Sequence, residues 1–370
     1  MTNPLVRDEI AKIMGFWLQL GVSGFRVDAV PFILDTSGVK DAASLLPDPH
    51  EYLRSLRSFM NRRSGQAVLL GEVNLPYADQ LQFFGGPDGG ELTMQFDFLG
   101  MQHLYLALAR QDARPLADAL AGRPDLPDGA QWAIFVRNHD ELTLDKLSEE
   151  ERSEVFAAFG PDPEMQLYGR GLRRRLPPML DGDPRRIRLA YSLLFALPGT
   201  PTLFYGEEIG MGENLAVEGR SAVRTPMQWN PGPNGGFSTA PARRLAAPVT
   251  PGGYGPEFVS VESQQHDPDS LLSFVQSLIG CYRRTFEIGF GAFELLPSGH
   301  DSVLAHAMRW DEGCVVLVHN FAAEPVSVEL AVDGGSLLDL LSGTRETLAE
   351  PGTAVIPLEG YGFRWLRVLP

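Results

Sequence analysis

Apolar residues recur at helical spacing from Val6 through Ile10, Ile13, Met14, Trp17 and Leu18, and the pattern stops at Gly21. That predicts a helix with a well-formed start. Asn3 is placed to cap it, Pro4 occupies the first helical position, and Asp8 and Glu9 fall in the early turns. A short run, residues 24–30, lies between Gly21 and Pro31 and reads as a buried strand passing into a loop. The alternation then repeats. Residues 50–63 read as a helix and 67–73 as a second buried strand, 92–98 as a third strand and 102–120 as a helix. Residues 132–136 read as a fourth strand, 185–197 as a helix and 202–206 as a fifth strand. Strands alternating with helices at this spacing predict parallel βαβ units.

Residues 213–255 interrupt the pattern. They are rich in Pro, Gly and Asn with little periodicity, a long loop excursion of a length that is usually functional or disordered. A strong helical pattern, 271–286, follows. Beyond Phe290 the pattern changes to short alternating runs at 303–309, 314–320, 326–332, 354–357 and 363–368, which predict an all-β sandwich. The expected organisation is an α/β part over residues 1–289 and a β-sandwich over residues 290–370, with no internal repeat or low-complexity tract.

Composition narrows the function classes. The 370 residues are 44% hydrophobic and 21% charged, ordinary for a soluble globular protein. A formal net charge of -16 argues against nucleic acid or an anionic membrane as partner and suits a neutral small substrate in the cytoplasm. The two cysteines, Cys281 and Cys314, allow neither a disulfide framework nor a zinc cluster and point to a reducing compartment. Arg7, Asp8, Glu9 and Lys12 exclude a secretory apolar region at the start, and no run reaches membrane-spanning length.

Three carboxylates, Asp28, Glu72 and Asp140, stand at the C-terminal ends of predicted strands, and in a parallel barrel those ends share the face that carries active sites. Arg26 and Asp28, two apart on a strand, point to the same side. A cation there keeps the acid ionised, as a nucleophile requires, although a structural ion pair at a strand end has the same signature. Glu72 follows the apolar run Leu69-Leu70-Gly71, where burial raises a carboxyl pKa towards general-acid duty; a capping or salt-bridging residue is the other reading. Two carboxyls pushed apart in pKa across a cleft are what a retaining glycosidase needs. His139 and Asp140 after Asn138 offer a donor and an acceptor together, and the histidine reads equally as a structural hydrogen-bonder. No His, Cys and Asp spacing suggests a metal site, and Gly85-Gly86 and Gly334-Gly335 read as turns.

In order along the chain, Gly24-Phe25-Arg26-Val27-Asp28, Gly71-Glu72-Val73 and Val136-Arg137-Asn138-His139-Asp140 resemble three signature regions of the α-amylase superfamily of (β/α)8 barrels. The resemblance implies that Asp28 is the nucleophile, Glu72 the general acid/base and Asp140 the carboxylate that grips sugar hydroxyls, with Arg26 and His139 contacting substrate and Asp28. Endo-acting α-amylases typically carry Lys-His shortly after the nucleophile, where this chain has Pro31-Phe32. The stretch from Asp140 to Leu144, the cluster Arg173-Arg174-Arg175-Leu176, and Val223-Arg224-Thr225-Pro226-Met227-Gln228-Trp229 are similar to trehalose synthases, which interconvert maltose and trehalose. Arg224 is similar to an arginine that closes the glucose pocket in exo-acting members.

By this likeness the chain corresponds to the C-terminal portion of the family fold, a partial (β/α)8 TIM barrel from the helix before strand four onwards, followed by the sandwich. The implied substrate is maltose, trehalose or a related α-glucoside, no cofactor is required, and the usual ligands of the family's calcium lie mostly outside this portion. The alternatives are an α-glucosidase or α-amylase-type hydrolase and an inactive carbohydrate-binding fragment. A lone chain of this kind is expected to self-associate, or to pair with a separate N-terminal half, and to be essentially inactive on maltose.

Overall fold

The computed structural model describes residues 2–35, 37, 48–350 and 352–370. The chain folds as two compact units, Met1–Leu99 with Gly122–Ala133, and Gly100–Ala121 with Ile134–Pro370.

In the first unit the opening helix α1 spans Pro4–Gln19. Asn3 caps it, its side chain accepting the Leu5 N–H at 2.9 Å, and Pro4 stands in the first turn, where it loses no hydrogen bond. The strands β1 (Gly24–Val27), β2 (Val68–Gly71), β3 (Met94–Phe96) and β4 (Gln131–Ile134) follow. They pair in that order, each parallel to the next. Parallel neighbours need crossovers, supplied after β1 by the helix His50–Asn61 and after β2 by Tyr77–Phe83. The first of these buries Tyr52, Leu53, Leu56 and Met60 along one face. With Met14, Val30, Leu34, Leu69, Val73 and Leu92 they make one apolar core. The register of β1 on β2 runs from Gly24 opposite Val68 to Val27 opposite Gly71. Asp28 and Glu72 are therefore the next residues off two adjacent strands.

The second unit departs from expectation in three places. The predicted helix 102–120 is two helices, Phe98–Arg110 and Arg114–Ala121, separated at Gln111, which adopts a left-handed φ of 53°. Asp112 then caps the second, accepting the Arg114 N–H at 2.9 Å. The strand predicted at 202–206 does not form, and the strand there is the two-residue Thr200–Pro201 just before it, because side chains take the backbone groups of 204 and 205, as detailed below. Three two-residue strands, Leu142–Thr143, Gln166–Leu167 and Gly171–Leu172, form a small antiparallel sheet that no period announced.

The excursion at 213–255 contains only short 3-10 turns. The helix Leu271–Tyr282 follows it, and antiparallel strands begin at Ala292. They form a six-stranded and a two-stranded sheet, whose inner residues Val303, Val316, Val328, Leu330, Ile356 and Leu366 share one core. Within this unit the helix Pro184–Ala196 is buried over Leu189–Ala196. Its Ser192 Oγ accepts from Trp365 Nε1 at 2.9 Å and lies 2.9 Å from His319 Nε2.

Candidate active site

In the first unit the guanidinium of Arg26 joins the two carboxylates. Nη1 donates to Asp28 Oδ1 at 2.6 Å, and Nη2 donates to Glu72 Oε2. The backbone fixes both ends: Glu72 N–H donates to Val27 O at 3.0 Å and Val30 N–H to Glu72 O at 3.1 Å. Between Asp28 and Val30 the chain turns through Ala29 at φ 45°, ψ 47°. A left-handed alanine costs roughly 1–2 kcal/mol, and such strain collects at functional sites. The two acids differ in environment, the Asp28 side chain being 72% exposed and that of Glu72 20%. Burial pushes the Glu72 carboxyl up, the positive charge of Arg26 pulls it down, and the neighbouring Asp28 adds to the rise.

In the second unit the turn after β4 is built from its own side chains. The buried Arg137 donates Nε to Arg174 O and Nη2 to Asp140 O, both at 2.7 Å. Asn138 Oδ1 accepts the Asp140 N–H at 3.0 Å. Asp140, six residues beyond the strand end, then gathers arginines. Its Oδ1 accepts from Arg224 Nη2 at 2.5 Å and lies 3.3 Å from Arg220 Nη1. His139 Nε2 is 3.8 Å from the same oxygen, and Arg224 Nε donates to His139 O at 2.5 Å. The structure thus brings Arg26, Asp28 and Glu72 together in one unit, and His139, Asp140 and Arg224 together in the other.

Several neighbours were not singled out as site residues in the sequence. Glu141 is buried, which disfavours its charge, but Arg220 at 2.6 Å and Arg170 at 3.2 Å outweigh that and hold its carboxyl below the usual range. Both guanidinia lie over the ring of Tyr168, at 5.6 and 6.0 Å from its centroid. These are isolated loop residues, and charge in a loop has no period to betray it. The Arg173-Arg174-Arg175 cluster proves to be the anchor of the long excursion. Arg174 Nε donates to Glu213 Oε1 at 2.9 Å, and the buried Arg175 donates to Val223 O at 2.8 and 3.1 Å and to Tyr205 O at 2.9 Å. Its guanidinium also stacks on Phe204, 4.5 Å from the ring centre. Beside it, the buried Glu207 accepts the Phe204 N–H at 2.7 Å. Arg224 also borders a cleft of about 460 Å³ walled by Tyr205, Met227, Trp229, Phe237 and Leu245.

Among the described residues no group of three or more His, Cys, Asp and Glu side chains is placed to hold a metal ion, and no helix is long and apolar enough to cross a membrane.

The family described as alpha amylase, catalytic domain, matches residues 1–155 and 174–288. One described as sucrose hydrolase-like, C-terminal domain, matches residues 313–367. Curated relatives include the trehalose synthase/amylase of Mycobacterium tuberculosis, 38% identical over 99% of this chain and 62% of its own length. The trehalose synthase of Pimelobacter is 36% identical over 99% and 66%. The chain thus spans somewhat under two thirds of these relatives. Among solved structures, an alpha-amylase from H. orenii matches with a TM-score of 0.71 at 22% identity, over 99% of this chain and 65% of that one. A trehalose-6-phosphate hydrolase from Bacillus licheniformis matches at 0.68 and 19%, over 100% and 69%. At such identities the likeness is one of fold.

Proposed function

The chain belongs to the α-amylase family, and from that premise we propose that it carries the catalytic carboxylates of a trehalose-synthase-type enzyme, acting with retention on the α-glucosidic bond of maltose or trehalose. The reading rests chiefly on Arg26, whose two arms hold Asp28 and Glu72 side by side off adjacent parallel strands. Asp28 attacks the anomeric carbon, forming a C1–O bond to its carboxylate as the bond to the leaving oxygen breaks. Glu72 gives that oxygen its proton, then takes the proton of the incoming sugar hydroxyl as the covalent intermediate is released. The burial of Glu72 favours the protonated start of this cycle, and Arg26 favours the deprotonated end, so a group balanced between them suits both steps. In the second unit, Asp140, His139 and Arg224 form a cluster suited to binding sugar hydroxyls, with Arg224 orienting the Asp140 carboxylate.

One observation favours hydrolysis as a second reading. Asp28 is largely exposed, so water has access to an ester formed there. Glucose without trehalose among the products of maltose would select it. The assignment itself is tested by trapping. A fluorinated α-glucosyl fluoride, which slows breakdown of the intermediate, should leave one glucosyl adduct, mapped by peptide mass to Asp28. An adduct on another carboxylate, or none on Asp28 in a chain that turns over maltose, removes the assignment.

A further inference from the structure

We propose that Gln95 and Asp97 are positioning residues for Glu72, acting through the helix Tyr77–Phe83 to hold the segment that leaves β2. The proposal rests on the acid/base reading of Glu72 and extends it to the residues that keep that carboxyl in place. β3 pairs with β2 as far as Gln95 opposite Gly71, so Glu72 and Asp97 both stand just past the ends of adjacent strands. Asp97 N–H donates to Ala133 O of β4 at 3.0 Å, which fixes its backbone. Gln95 and Asp97, two apart, point to the same side of the sheet.

Both side chains reach the stretch that follows Glu72. Tyr77 Oη donates to Asp97 Oδ1 at 2.8 Å, and Arg123 Nη2 donates to Asp97 Oδ2. Gln95 Nε2 donates to Gln80 O at 2.9 Å, and Gln80 Nε2 donates to Leu75 O at 2.7 Å. Val73, Asn74, Leu75 and Pro76 are all that separates Glu72 from Tyr77. The far end of this segment is tied by the tyrosine hydroxyl and its middle by the Gln80 amide. Glu72 itself is tied to β1 by its N–H and by the turn that Val30 N–H closes on its carbonyl.

The residue types point to placement rather than stability. Gln80 and Gln95 are fully buried, Asp97 is 2% exposed and the Arg123 side chain 7%. Apolar side chains would join a helix to a sheet at least as firmly, because a buried ion pair recovers little beyond its own desolvation. The Oε1 oxygens of Gln80 and Gln95 have no hydrogen-bond partner among the described residues, which lowers stability further. What this layer adds over an apolar one is direction, since each bond admits a narrow range of geometry. Glu72 depends on such placement. Burial pushes its carboxyl up and Arg26 pulls it down, and that balance is set by the depth at which the segment holds it. A segment free to lift would admit water and bring the carboxyl down.

Two substitutions of nearly constant volume cut the two connections: Tyr77→Phe removes the bond to Asp97, and Gln80→Met the bond to Leu75. Leu56→Val, in the core of the same unit and outside both connections, is the control for a merely structural loss. The 370-residue chain is labelled with carbon-13 at its glutamate carboxyls, and the Glu72 signal, identified by its loss in Glu72→Gln, is titrated. The midpoint in Y77F and in Q80M is expected to fall by about half a pH unit or more, and in L56V to stay at the wild-type value. A wild-type midpoint in both Y77F and Q80M, or an equal fall in L56V, overturns the proposal. In an assembly that turns over maltose, Y77F should lose about tenfold more on maltose than on aryl glucosides with good leaving groups. It should add no further loss in the Glu72→Gln background. Equal losses on the two substrates in Y77F alone overturn the positioning role. Equal losses in Glu72→Gln fall on the acid/base reading instead, and the titration still decides whether the two connections hold Glu72.

Discussion

Replacing Glu207 by glutamine tests how the second unit holds its most deeply buried acid. One carboxyl oxygen accepts the Phe204 N–H, and the other, Oε1, is buried with no hydrogen-bond partner. Burial pushes the pKa up from 4.5 to about 8, against the pull of the Phe204 amide, Arg175 and Arg137. Between those two values the native state keeps a proton that the unfolded chain has released, so stability falls as pH rises. At about 1.4 kcal/mol per unit, the loss attributable to this one group between pH 5 and 7.5 is about 3 kcal/mol. Glutamine keeps the acceptor for Phe204 and cannot ionise. E207Q should therefore match the wild type near pH 5 and exceed it by about 3 kcal/mol near pH 7.5, in urea unfolding followed by circular dichroism. Comparing the two proteins at each pH cancels the titration of the other groups on this acidic chain. Parallel stability curves would mean instead that Glu207 is ionised at neutral pH and held by Arg137 and Arg175.

Ser192→Ala removes the hydroxyl between Trp365 and His319 and leaves two buried nitrogens without it; at about 1–3 kcal/mol per orphaned group, a stability loss of about 2–6 kcal/mol is expected, and a loss within experimental error would show the site to be wet. His319 is held well below its usual pKa by burial and then by His306, so its contribution is fully present above about pH 6.5 and is lost as pH falls and the unfolded chain takes up the proton. His319→Gln should flatten the stability profile between about pH 6.5 and 5, and a profile as steep as that of the wild type would contradict this. In an assembly that turns over maltose, the proposed function requires that Glu72→Gln slow that turnover by about 100- to 10,000-fold while sparing aryl glucosides with good leaving groups, and equal losses on both would make Glu72 structural.

What could be read from the sequence was what the chain decides locally. The first helix was legible because Asn3, Pro4 and the Ile10–Met14–Leu18 spacing all act within a few turns, and Asp28 and Glu72 because each follows an apolar run that ends in a strand. Their joint contact with Arg26 was not legible, since it depends on the register of β1 against β2 across 46 positions. Residues 202–206 show the opposite failure. Thr202-Leu203-Phe204-Tyr205 has the composition of a buried strand, yet the Phe204 N–H goes to Glu207 and Tyr205 O to Arg175. Two side chains there replace a ladder, and neither carries a periodic signal. The break at Gln111 has the same cause, for the Ala113 N–H donates to Asp301 O at 2.8 Å instead of extending the helix. In each case the local pattern was sound and a charged or polar group outside it, Glu207 three residues on or Arg175 and Asp301 far along the chain, outbid it for one backbone bond. The arginines around Asp140 extend this from backbone to site: Arg220 and Arg224 reach the carboxylate from 80 or more residues away. The candidate acids Asp28 and Glu72 can thus be read from their strands, while the arginines that reach Asp140 are fixed only once the loops have folded.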